Sequence, residues 1–201
     1  RVLMVTDEGV RKAGWAERAE DALAREGLSC VVFDGLTPNP KDREVMAGVD
    51  ACRDGECDLI LAVGGGSPMD CAKGISVAAG NECHILDLEG VDEIPRPGLP
   101  LICVPTTAGS SADVSQFAVI TDTARKRKAG LVSKMVIPEI ALVDPDTTRT
   151  LPPEVAADSG MDALSHAIEA YASTLSSPLT DMASREAVRL AASNLPGAYE
   201  N

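Results

Sequence analysis

A chain of 201 residues with 45% apolar residues can bury one sizeable core, and with aromatics at only 2% that core must be built from Val, Ile, Leu and Ala. Its 31 acidic against 18 basic residues leave a net charge of −13, which argues against nucleic acid and anionic membrane surfaces as partners, since both are polyanions. Six scattered cysteines with no C-x-x-C pair, and no signal peptide or apolar run of membrane-spanning length, point to reduced thiols in a cytoplasmic protein.

Residues 1–6 read as a first strand running into Asp7. Helical periodicity over residues 10–25 ends at Gly27, and residues 28–33 form a second strand ending in Asp34. The prolines of Thr37-Pro38-Asn39-Pro40 make a turn, and residues 41–53 are helical. The third strand, residues 58–63, stops at Gly64-Gly65-Gly66. Ser67 is then placed to cap a helix, with Pro68 in its first position and Asp70 completing an S-x-x-D capping box. This β-α-β-α-β-α order implies parallel strands joined by right-handed crossovers.

Residues 81–98 read as a long acidic loop, and residues 99–104 as a fourth strand. Residues 116–121 and 131–137 flank the basic turn 125–128 and predict a β-hairpin; a short strand follows at 140–143. Beyond residue 152 three helical stretches follow, at 153–157, 161–172 and 178–192. The shift near residue 150 separates an α/β domain (1–150) from the start of an all-helical one (151–201). The chain opens inside a strand without Met and closes just after a helical run, as expected of a piece of a longer protein.

Several of these segments can carry chemistry. Gly65 and Gly66 let the backbone approach a phosphate while free helix N–H groups face it; a tight packing turn uses the same residues. The turn is neither G-x-G-x-x-G nor a P-loop. A second cradle follows the fourth strand, where Thr106, Thr107, Ser110 and Ser111 supply hydroxyls and Ser110/Asp113 repeat the S-x-x-D spacing. Both lie at carboxyl ends of predicted parallel strands, where open α/β sheets bind ligands. Asp7 occupies another such end. It can accept ribose hydroxyls and repel a 2′-phosphate, favouring NAD over NADP, or cap the following helix. Asn39 reads first as a turn residue, and Lys128 as part of a solvated turn or a phosphate contact. Asp162 and His166, four apart on a predicted helix, share a face that offers two corners of a divalent-metal site or an ordinary surface pair. His84 is the only other histidine.

Taken together, GGGSPMDCAK at 64–73, PTTAGSSADVSQFAVITD at 105–122, ALVDP at 141–145 and SGMDALSHAIEAY at 159–171 resemble the iron-containing (group III) alcohol dehydrogenases, in family order along nearly the whole chain. The resemblance implies a Rossmann-like α/β domain with an inserted hairpin, then an all-helical domain, the active site lying in the cleft between them. It places Asp7 at the adenosine ribose and Asn39 nearby. Gly65, Gly66 and Ser67 would wrap the pyrophosphate, with Asp70 on the nicotinamide side. Thr106, Thr107 and Ser110 would line the cofactor cleft, Lys128 would touch the cofactor, and Leu142 and Thr148 would pack near its adenine. Asp162 and His166 would be the first two of four metal ligands, the family's other two histidines falling beyond this sequence. The implied cofactors are NAD, with NADP as the alternative, and Fe²⁺, with Zn²⁺ as the alternative. The implied substrate is a small alcohol or aldehyde and the implied assembly a homodimer, its contact set at an exposed sheet edge by the N-terminus. Where the family more often has G-T-G-S-E, this chain has Gly109-Ser110-Ser111-Ala112-Asp113. No side chain stands out as a general base. A zinc enzyme of the glycerol-dehydrogenase or dehydroquinate-synthase kind and a non-catalytic nucleotide-binding module are the competing readings. The segment alone is expected to be inactive.

Overall fold

Apolar runs alternating with helices along the first hundred residues assemble into a parallel sheet. The computed structural model describes residues 1–200. In chain order the elements are β1 (Val2–Val5), α1 (Glu8–Lys12), α2 (Trp15–Arg25), β2 (Cys30–Phe33), α3 (Asp42–Asp54), β3 (Leu59–Gly64) and α4 (Gly66–Asn81). They continue with β4 (Gly90–Val91), β5 (Leu101–Pro105), β6 (Phe117–Asp122), β7 (Arg127–Val132), β8 (Ile140–Ala141), α5 (Pro153–Ala172) and α6 (Pro178–Glu200). Five strands pair in the order β2-β1-β3-β5-β8, all parallel. A smaller sheet, β4-β7-β6, holds the hairpin. This is the expected α/β, Rossmann-like architecture followed by helices.

Because successive strand residues point to opposite faces, the sheet feeds two cores. Leu3, Val5, Ile60 and Ala62 pack with Val45, Val49, Ala72 and Ile75 of α3 and α4. Val2, Met4, Leu61 and Val63 pack with Val10 and Ala16 of α1 and α2. Covering both faces explains why these strands are apolar runs without alternation.

The chain divides into two compact units. One comprises residues 1–106 and 112–144, the other residues 107–111 and those from 145 onward. In the second unit α5 packs on α6 with little room: a Cβ on Gly160 would stand 2.2 Å from Leu195 Cδ1.

Several expectations need correction. The first helix is broken in two at Gly14, whose φ of 82° is left-handed. Residues 81–98 are partly ordered, with a 3₁₀ turn at Ile85–Leu88 and the strand β4. Arg127 and Lys128 belong to β7 and not to the hairpin turn. The two stretches expected at 153–157 and 161–172 are one helix, and α6 runs through Pro196. β1 lies inside the sheet, whose edges are β2 and β8, so the first strand exposes no edge for a neighbour. All six cysteines are free thiols. Burial raises the pKa of each, to about 11 for Cys52 and about 12 for Cys103. Among the described residues no helix is long and apolar enough to cross a membrane.

β3 can turn sharply into α4 because Gly64 adopts a φ of 155°, and a Cβ there would meet Pro68 Cγ at 2.6 Å. Gly64→Ala is therefore expected to cost about 1–3 kcal/mol, read as a lower urea midpoint with an unchanged m-value.

Candidate functional site

The site begins at the end of β3. Gly65 is the N-cap of α4, in extended conformation, and among the described residues the helix start has no side-chain cap. The first turn also contains no acidic residue. The capping box read from the sequence is thus absent, because the backbone is already helical at Gly66 and Ser67 lies inside the first turn. The free N–H groups of this helix end, with glycine at its two leading positions, suit an anion.

Ser67 has a different partner. Its Oγ accepts the N–H of Asn39 at 3.2 Å. Asn39 sits between Pro38 and Pro40 with φ 59°, a left-handed conformation that asparagine tolerates better than most residues. Its side-chain oxygen accepts Lys128 Nζ at 2.6 Å, and its carbonyl accepts Thr121 Oγ1 at 3.3 Å. Lys128 Nζ also reaches Thr121 Oγ1 at 3.2 Å. Residues 39, 67, 121 and 128 therefore converge from a loop, a helix and two strands. Thr121 escaped the sequence reading, since nothing marks a strand threonine as a partner until the hairpin is folded back.

Asp70 lies one turn further along α4, half-buried. Its carboxylate accepts the Val119 N–H at 3.1 Å. Burial pushes its pKa up to about 6, outweighing the Val119 bond and the charges of Lys73 and Lys128. On the neighbouring strand, buried Thr106 donates its N–H to Gly64 O at 2.9 Å, joining the ends of β3 and β5 in line with the Gly64↔Pro105 register. Asp7 caps α1, its Oδ1 accepting the Val10 N–H at 2.9 Å. Leu142 is exposed just after β8, its N–H bonded to Cys103 O at 2.8 Å.

Thr107 and Ser110 belong to the second unit. No helix starts in residues 105–116, so the second S-x-x-D is not a cap. Gly109 allows this loop to approach α5, since a Cβ there would stand 2.5 Å from Ser159 O. Thr148 closes a 3₁₀ turn onto Pro145 O at 2.8 Å and lines a groove of about 810 Å³ with Arg149, Ala156, Gly160 and Asn194. On α5, Asp162 Oδ1 and His166 Nε2 stand 3.5 Å apart with side chains 47% and 52% exposed. A carboxylate and an imidazole so placed fit two positions of a divalent ion. Among the described residues no cluster of three or more such ligands exists. His84 is occupied elsewhere, its Nδ1 accepting the Leu86 N–H at 3.3 Å.

The chain matches the family model described as iron-containing alcohol dehydrogenase over residues 1–145, and the C-terminal model of the same family over residues 156–201. It is 39% identical to alcohol dehydrogenase 4 of Schizosaccharomyces pombe over 99% of this chain and 47% of that protein. A crystal structure of 1,3-propanediol oxidoreductase superposes with a TM-score of 0.96 at 41% identity, covering 99% of this chain and 52% of that one. Sulfoacetaldehyde reductase from Bifidobacterium kashiwanohense, solved in complex with NAD⁺, superposes at 0.93 with 35% identity over 100% and 53%. The chain spans about half the length of the relatives it matches.

The raised pKa of Asp70 has a definite sign in stability. The folded state favours the protonated carboxyl, so its contribution is complete below the unfolded pKa of about 3.9 and is lost as pH rises through about 6. Asp70→Asn keeps an oxygen for Val119 without the charge. Its stability relative to the unaltered chain should improve by about 1–2 kcal/mol between pH 4 and 7, measured by urea unfolding at each pH.

Proposed function

The chain belongs to the iron-containing alcohol dehydrogenase family, and from that premise we propose that it supplies the dinucleotide-binding part, and the first two metal ligands, of an enzyme moving hydride between a small alcohol or aldehyde and NAD. The observation that carries this reading is the convergence of Asn39, Ser67 and Lys128 beside the uncapped start of α4. The pyrophosphate lies on Gly65, Gly66 and Ser67, where helix N–H groups and the Lys128 ammonium offset its charge. Asp7 accepts the adenosine ribose hydroxyls and disfavours the 2′-phosphate of NADP. The NAD⁺ complex of the Bifidobacterium relative supports the same preference. Asp70 stands on the nicotinamide side, Thr106, Thr107 and Ser110 line the cofactor, and Leu142 and Thr148 lie toward its adenine.

Asp162 and His166 hold Fe²⁺, with Zn²⁺ as the alternative, together with ligands from outside this chain. An ion bound there supplies a Lewis acid for the substrate oxygen. No residue of the chain is assigned as general base. The proposal extends to a cytoplasmic homodimer; six thiols with no disulfide among them suit a reducing compartment.

The competing reading, a nucleotide-binding module without catalysis, is favoured for these 201 residues alone by the two-ligand metal face. The chain by itself should bind NAD⁺ and turn over no alcohol. Lys128→Met should raise the NAD⁺ dissociation constant about tenfold or more by calorimetric titration, and unchanged affinity would remove Lys128 from the site. Alcohol oxidation by the purified 201-residue chain would overturn the assignment of a catalytically incomplete segment.

A further inference from the structure

Lys73 is wholly buried, the largest side chain with no exposure among the described residues. It lies on α4 one turn beyond Asp70. Its Nζ donates to Ser115 O at 2.8 Å, Phe117 O at 2.8 Å and Ser115 Oγ at 3.1 Å. An ammonium has three donors, and all three are used. No carboxylate forms an ion pair with it among the described residues. Burial pulls its pKa below the usual lysine range, against the opposing pull of Asp70, Cys103 and Asp113. A buried charge of this kind is a costly way to fill space, and an apolar side chain of equal length packs at lower cost. What the ammonium supplies and an apolar chain does not is the fixed position of two backbone carbonyls.

Those carbonyls belong to the approach and start of β6, which has β7 on one side only. On its other edge the Phe117 carbonyl meets Lys73, the Val119 N–H meets Asp70, and the Thr121 N–H meets Pro40 O at 2.7 Å. Helix and strand are thus joined rung by rung, Asp70 to Val119 and Lys73 to Phe117. Three residues of helix advance about 4.5 Å and two of strand about 6.7 Å, so the rungs diverge and the second needs a longer side chain. Phe117 and Val119 turn their side chains away from the core, 51% and 39% exposed.

We propose that Lys73 is a positioning residue for the nicotinamide end of the cofactor, acting by fixing β6 against Asp70. The inference rests on the cofactor reading above. The adenosine and pyrophosphate end, at Asn39, Ser67 and Lys128, is held by hydrogen bonds in which Lys73 takes no part, and there β6 is tied through the Thr121 N–H to Pro40 O.

The test compares NAD⁺ with ADP-ribose, which lacks nicotinamide, by calorimetric titration of the unaltered chain, Lys73→Met and Lys73→Gln. The expected result for both variants is a loss of about tenfold or more in NAD⁺ affinity with ADP-ribose changed by less than about twofold. Faster hydrogen exchange at the Val119 amide should accompany it. Equal loss of both ligands would reduce Lys73 to a general stabiliser, and no loss of either would give it no part in binding; each overturns the proposal. Lys73→Gln keeps a donor without the charge and decides the matter if Lys73→Met does not fold. Failure of the unaltered chain to bind either ligand would instead sink the cofactor reading itself.

Discussion

The open edge of β6 is the constraint from which the rest of the first unit follows. A strand edge without a neighbouring strand must find other partners for its backbone polar groups, because each one left buried and unpaired costs about 1–3 kcal/mol. Here no further strand lies alongside. The task falls to two side chains of α4 and one carbonyl of the Pro38-Asn39-Pro40 turn. That arrangement demands a lysine and an aspartate three apart on a helix and a loop bent back into left-handed backbone. It also leaves Asp70 half-buried with a raised pKa. The charges are local consequences of closing one strand edge.

Sequence patterns made the sheet legible because both of its faces are covered: four near-continuous apolar runs alternating with helices have few other solutions. The hairpin was legible for the same kind of reason, with two β-rich segments around a basic turn. The failures were local. Ser67, Pro68 and Asp70 spell a capping box, yet glycine at 65 and 66 lets the helix begin earlier and releases both polar side chains for distant partners. Propensity speaks only of neighbours in the chain, and Asn39 and Val119 are not neighbours of this turn. Pro196 reads as a helix stop, but α6 continues through it. I,i+4 spacing correctly put Asp162 beside His166, since helical geometry alone decides that. What they bind is not a matter of spacing.

Lys73 shows the limit most plainly. In the sequence it is an ordinary lysine ending an Ala-Lys pair on a helix, and helix surfaces are full of such residues. Only the fold reveals that its three donors end on Ser115 and Phe117, more than forty positions away. Long-range polar satisfaction leaves no periodic trace, because two of the three accepting atoms are backbone carbonyls, which every residue type carries.

The absence of acidic residues from the first turn of α4 has a consequence for kinetics. The chain carries thirteen more negative than positive charges, so at low ionic strength an anionic ligand approaches against a repulsive field. Attraction begins only within reach of the helix start and Lys128, whose influence decays over about 8–10 Å at ordinary ionic strength. Moderate salt screens the distant repulsion more than the close attraction. Association with such a ligand should therefore quicken on adding salt, the reverse of the familiar behaviour of oppositely charged partners.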